Sequence, residues 1–170
     1  MERTAYQAAL DLLARRDHFR RELETKLARR SFPSDDIEEA LDRCQELGLL
    51  DDNKTAKRFV EVRAAARGWG PRRLEAELLE RGVARDLAEI AAKLPPKTAQ
   101  EAMQTALRRL VARAPAGWWR DGQRRARMVS SLIGRGFAAD DAYAAISELA
   151  AERENDHAPD EQPPDSIGIS

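Results

Sequence analysis

The sequence predicts an all-α protein built from three tandem three-helix repeats in an elongated, curved array, and three observations carry that prediction. A short pattern occurs three times: two apolar residues four apart, a basic residue seven after the first, then a turn and a new helix start. Its copies are Leu23, Leu27, Arg30 and Phe32; Leu74, Leu78, Arg81, Gly82 and Val83; and Met128, Leu132, Arg135, Gly136 and Phe137. The spacing is regular, 51 positions from Arg30 to Arg81 and 54 from Arg81 to Arg135. A period near fifty suits a unit of about three helices that cannot bury its apolar face alone and stacks on its neighbours. Composition agrees, because 35% of the 170 residues are charged and only 5% aromatic, and continuous β-branched runs are absent.

Each helix has a start signal and an apolar stripe of period 3.6. Thr4 and Gln7 make a capping box before Tyr6, Ala9, Leu10 and Leu13, the face of a helix over about 4–15. Phe19, Leu23 and Leu27 continue into a second helix that ends before Pro33. After Ser34 and Asp35, the residues Ile37, Ala40, Leu41, Cys44 and Leu47 form the cleanest stripe in the chain, stopped by Gly48. A second unit opens at Asp51 and Asp52, with Phe59 and Val60 as the core of a helix reaching about Arg67. Gly68 to Pro71 breaks the chain, Pro71 starts the next helix and Gly82 ends it. A short helix with Leu87, Ile90 and Ala91 follows, closed by Pro95 and Pro96. The third unit begins with a second capping box, Thr98 and Glu101, before Met103, Ala106, Leu107, Leu110 and Val111. After Trp118 and Trp119 come a helix with Met128, Val129, Leu132 and Ile133 and one with Ala142, Ala145, Ile146 and Leu149. The expected boundaries are therefore 1–50, 51–96 and 97–151, followed by a disordered acidic tail over 152–170.

Charge is uneven along this layout. The tail carries six acidic residues against Arg153, a formal −5, which leaves a body near +4 within an overall −1. Residues 97–137 hold nine Lys and Arg against two acidic residues. Arg108, Arg109 and Arg113 on one helix and Arg120, Arg124, Arg125 and Arg127 around the next are the main candidates for contacting phosphates or an acidic partner. A solvated helix face is the alternative reading. Arg63, Arg67, Arg72 and Arg73 form a second, weaker candidate, because Glu75, Glu77 and Glu80 follow closely.

Other constellations favour structure over chemistry. Trp69, Trp118 and Trp119 suit packing staples more than base stacking. The pairs Asp35–Asp36, Asp51–Asp52 and Asp140–Asp141 stand at helix starts, where carboxylates accept backbone N–H bonds and complement the dipole. His18 and His157 are far apart, so no histidine metal cluster, and no metal or cofactor, is expected. No phosphate-cradling glycine loop, metalloprotease motif or nucleophile elbow occurs, which argues against an enzyme. The single cysteine, Cys44, reads as a buried small hydrophobe, consistent with a reducing cytoplasm. No apolar run approaches the roughly 18 residues a membrane helix requires, and no signal-peptide hydrophobic region stands at the N-terminus.

One stretch is similar to a known family. Leu47-Gly48-Leu49-Leu50-Asp51-Asp52, then Arg58-Phe59-Val60 and Gly68-Trp69-Gly70-Pro71-Arg72-Arg73-Leu74-Glu75-Ala76-Glu77-Leu78, resembles the central signature of the RecX regulatory proteins. Arg135-Gly136-Phe137 resembles the turn in their last repeat, and the likeness covers about residues 5–150 in order. The resemblance implies a bacterial cytoplasmic protein of three tandem three-helix repeats that serves DNA repair and the SOS response; a monomer is expected. Such a protein binds the RecA recombinase filament, with direct contact to single- or double-stranded DNA as a further implication, and moderates recombination, ATPase and co-protease activities. The competing function is a direct DNA-binding module of helix-turn-helix-like units. Two departures stand out: Phe19 replaces a usual helix-capping serine, and Thr55 replaces a usual aromatic. The first implies a cap weaker by about 1 kcal/mol unless another group substitutes, and the second a lighter core in the middle unit.

Overall fold

The computed structural model describes residues 3–157. Among them the helices run α1 Ala5–Leu13, α2 Arg20–Ala28, α3 Ser34–Glu46, α4 Asp52–Arg67, α5 Pro71–Glu80, α6 Arg85–Ala92, α7 Pro96–Val111, α8 Gly122–Gly134 and α9 Ala139–Asp156, with a 3-10 turn at Trp118–Arg120. The all-α repeat class expected from the sequence is the one observed.

The repeated pattern folds as a repeated turn. Ser31, Gly82 and Gly136 all take positive φ, at 63°, 79° and 92°. In each copy the next apolar residue donates its backbone N–H back to the helix: Phe32 to Leu27, Val83 to Leu78 and Phe137 to Leu132. This 6→1 bond satisfies a carbonyl that the helix end would orphan, and the apolar residue folds onto the turn before it. Leu23, Leu27, Leu74, Leu78 and Leu132 are then completely buried.

Two cores result. Unit 1 has its own, built from Ala8, Ala9, Leu12, Leu23, Leu27, Ile37, Leu41, Cys44 and Leu50. Units 2 and 3 share a larger one, in which Val60, Leu74, Leu78, Trp118, Leu132, Phe137 and Ile146 are contiguous. Phe19 belongs to that second core although it stands in unit 1, where it meets Phe59 edge-to-face at 6.3 Å. The missing cap of α2 is thereby explained. Phe19 occupies the cap position without a side-chain bond, and Asp52 of α4 accepts the Arg20 N–H at 2.9 Å in its place.

The joint between units 2 and 3 is backbone against backbone. The Gly70 N–H donates to the Arg135 carbonyl at 2.8 Å and the Arg72 N–H to the Gly136 carbonyl at 3.1 Å. A Cβ on Gly136 would lie 2.2 Å from the Arg73 nitrogen, so only glycine permits the start of α5 to seat on this turn. Likewise, a Cβ on Gly68 would lie 2.7 Å from the Ala106 nitrogen, which is how closely α4 and α7 approach.

Several expectations are corrected. Thr98 and Glu101 form no capping box, because α7 already begins at Pro96 with Pro95 as its cap and Thr98 lies inside the helix. The Thr4–Gln7 box is formed as expected. Of the aspartate pairs, Asp51 caps α4, but Asp35, Asp36, Asp140 and Asp141 sit in first turns without capping bonds, where only the dipole favours them. Leu47, Ile90 and Ile133, expected in the core, are 58%, 64% and 41% exposed. Leu47 lies just beyond α3, and Ile90 stands about 200° around the helix from the buried Ala88 and Ala92. Ile133 points away from the side that buries Met128 and Leu132. The tail expected from 152 is helical as far as Asp156, and the remainder of that expectation, residues 158–170, lies outside the described residues.

Unit 3 also differs from its siblings in arrangement. In units 1 and 2 the first and third helices pack together, α1 on α3 and α4 on α6, whereas α7 packs chiefly on α4 of the preceding unit. The 3-10 turn fills the vacated side of α8 and α9, with Trp118 buried there. An open groove of about 650 Å³ is left between α7 and α9, lined by Met103, Leu107, Val111 and Leu149.

Candidate partner-binding surface

The candidates expected from the sequence are all arginines, and the structure divides them by what each already holds. Arg109 is committed to the fold: its guanidinium donates to the Ala66 and Arg67 carbonyls at 2.6 and 3.2 Å. These are the last carbonyls of α4, so Arg109 acts there as a C-terminal cap, assisted by Arg135 at 3.4 Å from the Arg67 carbonyl.

Arg120 forks onto Glu154 with contacts of 3.1 to 3.3 Å, which ties the 3-10 turn to the end of α9. That pairing raises the Arg120 pKa and lowers that of Glu154 through the same hydrogen bonds. Arg124 pairs with Asp121 at 2.7 Å. Asp121 is the N-cap of α8, and the Arg124 N–H, the Arg124 side chain and the Gln123 N–H hold its carboxyl below the usual range. Arg73 pairs with Glu77 at 2.7 Å and lies 5.2 Å from the Trp69 ring.

The others remain open. Arg113, Arg125 and Arg127 are exposed and form no ion pair among the described residues, and Arg108 bonds only Thr105 of its own helix. Arg67 and Arg72 are exposed at the α4–α5 break, again without a carboxylate partner among the described residues. Arg63 is held differently, against the Phe59 and Trp69 rings at 5.3 and 5.6 Å.

Of the tryptophans, Trp118 is buried and meets Trp119 edge-to-face at 6.3 Å, so it serves as a staple and not as a base platform. Trp119 also packs on His157 at 4.7 Å, and Trp69 carries two guanidinium groups. Cys44 is fully buried, and burial pushes its thiol pKa up, as for an inert core thiol. Among the described residues no cluster of three or more His, Cys, Asp or Glu side chains is placed to hold a metal. No described helix is long and apolar enough to cross a membrane.

Sequence reasoning missed a further basic region, of which it had named only Arg63. Arg15, Arg16, Arg58 and Arg81 converge with Arg63 on a cleft of about 910 Å³ between units 1 and 2. Arg81 is the middle copy of the repeated basic residue, which was a usable signal; Arg15 and Arg16 stand side by side in the turn after α1 and Arg58 on α4, and only the fold brings them together.

Tandem three-helix units with exposed arginines define the class: a helical-repeat protein. Comparison with known proteins makes the class specific. Residues 5–44 match the first three-helix domain of RecX and residues 51–91 the second. The chain is 38% identical over 135 residues to the regulatory protein RecX of Ectopseudomonas mendocina, covering 79% of this chain and 87% of that protein. It is 39% identical over 153 residues to RecX of Halorhodospira halophila, covering 89% and 91%. The crystal structure of RecX from Lactobacillus salivarius superposes with a TM-score of 0.74 at 27% identity, covering 86% of this chain and 95% of that one. The chain belongs to the RecX family of regulatory proteins.

Proposed function

We propose that this chain binds the RecA recombinase on its nucleoprotein filament and moderates, mainly by inhibition, its recombination, ATPase and co-protease activities. It acts as a non-enzymatic cytoplasmic regulator of DNA repair and the SOS response. The observation that carries the reading is family membership across nearly the whole described chain. A monomer spanning three units offers many weak contacts at once, which add through effective concentration. Arg108, Arg113, Arg125 and Arg127 are the contacts we assign to the filament, because each is exposed and none is spent on an ion pair within the described residues. Engagement of several recombinase subunits together hinders the motions that hydrolysis and strand exchange require.

The test is a titration of the purified protein into recombinase on single-stranded DNA, following ATP hydrolysis. Substoichiometric inhibition indicates action at filament ends, and a requirement for one copy per several subunits indicates binding along the filament. No change in hydrolysis at excess protein refutes the proposal. The same open arginines support the second reading, direct DNA binding, for which affinity for naked DNA falls steeply with salt because bound phosphates release counterions.

A further inference from the structure

The cleft between units 1 and 2 has an excess of positive charge that the fold does not use. It is lined by five arginines against two carboxylates, Asp17 and Glu22. Both carboxylates are taken: Asp17 by Arg58 at 3.0 Å, and Glu22 by Arg16, by Lys26 at 3.0 Å and by His18 at 3.2 Å. Arg15, Arg63 and Arg81 therefore face the cleft without an ion-pair partner among the described residues.

Two of these three are held in place. The Arg63 and Arg81 guanidinium carbons lie 5.3 and 4.9 Å from the centroid of the same Phe59 ring. Phe59 is itself fixed by the buried Phe19 across the joint. The Arg81 Nε is buried and has no hydrogen-bond partner among the described residues. Like charges gathered on one ring repel each other, and a buried N–H without an acceptor costs free energy. An oxyanion in the cleft relieves the repulsion by neutralising charge. Because the ring already restrains the two guanidinium groups, their side-chain entropy is largely spent before a ligand arrives.

We infer that this cleft is a phosphoryl-oxyanion site, held by Arg15, Arg63 and Arg81, for the phosphates of a polynucleotide backbone or for free phosphate. Its size favours the backbone, since 910 Å³ exceeds what one phosphate fills, and Val62, 55% exposed on the same wall, offers apolar surface to the sugars and bases between phosphates. The site depends on neither the recombinase nor the arginines of unit 3.

Phenylglyoxal modification of the full chain, read by mass spectrometry at each arginine, tests it without recombinase. A single-stranded oligonucleotide is expected to slow modification of Arg15 and Arg63 at least about tenfold, and pyrophosphate to do so at higher concentration. Protection by pyrophosphate alone supports the phosphoryl site and assigns it to free phosphate. Equal protection by polyglutamate overturns the phosphate assignment, and absence of protection by oligonucleotide and pyrophosphate overturns the site. The double variant Arg15→Gln/Arg63→Gln, which leaves the Arg81 turn intact, is expected to lose about 1.4 from the log–log salt slope of single-stranded oligonucleotide binding. An unchanged slope with native far-ultraviolet circular dichroism overturns it. Inhibition of recombinase hydrolysis is read separately, so failure of the filament reading and failure of this site remain distinguishable.

Discussion

Gly136→Ala is the substitution that most directly probes how units 2 and 3 are joined. The added Cβ would lie 2.2 Å from the Arg73 nitrogen and 2.6 Å from the Arg73 Cβ, so the start of α5 must move away. Movement breaks the Gly70–Arg135 and Arg72–Gly136 backbone bonds, each contributing about 1 kcal/mol. An alanine at φ 92° adds about 1 kcal/mol of backbone strain. The expected loss is about 3–4 kcal/mol, a fall in Tm of roughly 6–16 °C for a chain of this size. Two controls separate the contributions. Gly117 has positive φ but nothing within 4 Å of a Cβ, so Gly117→Ala is expected to cost only about 1 kcal/mol. Gly134, the last residue of α8, also has open space, and Gly134→Ala is expected to stabilise by about 0.5 kcal/mol through helix propensity. Urea and thermal unfolding followed by circular dichroism provide the comparison. A Gly136→Ala protein as stable as Gly117→Ala would refute the claim that this turn holds the two units together.

Four further outcomes are expected. Phe19→Ala should cost about 3–5 kcal/mol in the same unfolding assay, because a buried ring shared between units leaves a cavity; a loss below 1 kcal/mol would show that unit 1 is not anchored through it. Asp52→Ala should cost about 1 kcal/mol by uncapping α2, and Asp52→Asn less, since asparagine also accepts the Arg20 N–H. Stability should fall on acidification. Burial keeps His18 neutral with its pKa below 6.5, so protonation in the unfolded chain draws stability down as pH drops below that value. For Glu22, burial opposes ionisation, but bonds from Arg16, Lys26 and His18 prevail and lower its pKa from 4.5 to about 2, so its contribution is present above 4.5 and is lost between 4.5 and 2. Glu22→Gln should flatten that lower limb of a pH-dependent unfolding series, and an unaltered limb would remove Glu22 from the explanation. Finally, Arg125→Ala/Arg127→Ala should weaken inhibition of recombinase ATP hydrolysis without loss of helicity; Arg124 is best left in place because it pairs with the Asp121 cap.

The open groove between α7 and α9 shows where local pattern stops informing. The stripe Met103, Leu107 and Val111 identifies an apolar side of α7, and Leu149 one of α9, yet these residues are only half-buried and line a gap. Nothing in a stripe states which neighbour covers it. Here Ala102 and Ala106, small enough for α4 to approach at Gly68, bring α7 to the preceding unit. The candidate arginines follow the same rule: Arg108 and Arg109 stand on one helix with the same charge, but only Arg109 reaches the end of α4, and Arg113, expected on that helix, lies in the turn beyond it.

Helix positions and the threefold turn were legible from the chain alone, because capping, glycine at positive φ and 3.6-residue periodicity are interactions between residues a few positions apart. Asp52 capping α2 from 32 residues away, the Gly70–Gly136 seat and the gathering of Arg63 and Arg81 on Phe59 were decided only by tertiary structure. Each requires groups distant in sequence to meet at a distance that packing alone sets. Local rules thus dictated which helices form, whereas long-range approach determined which charges the fold consumes and which it leaves for a partner.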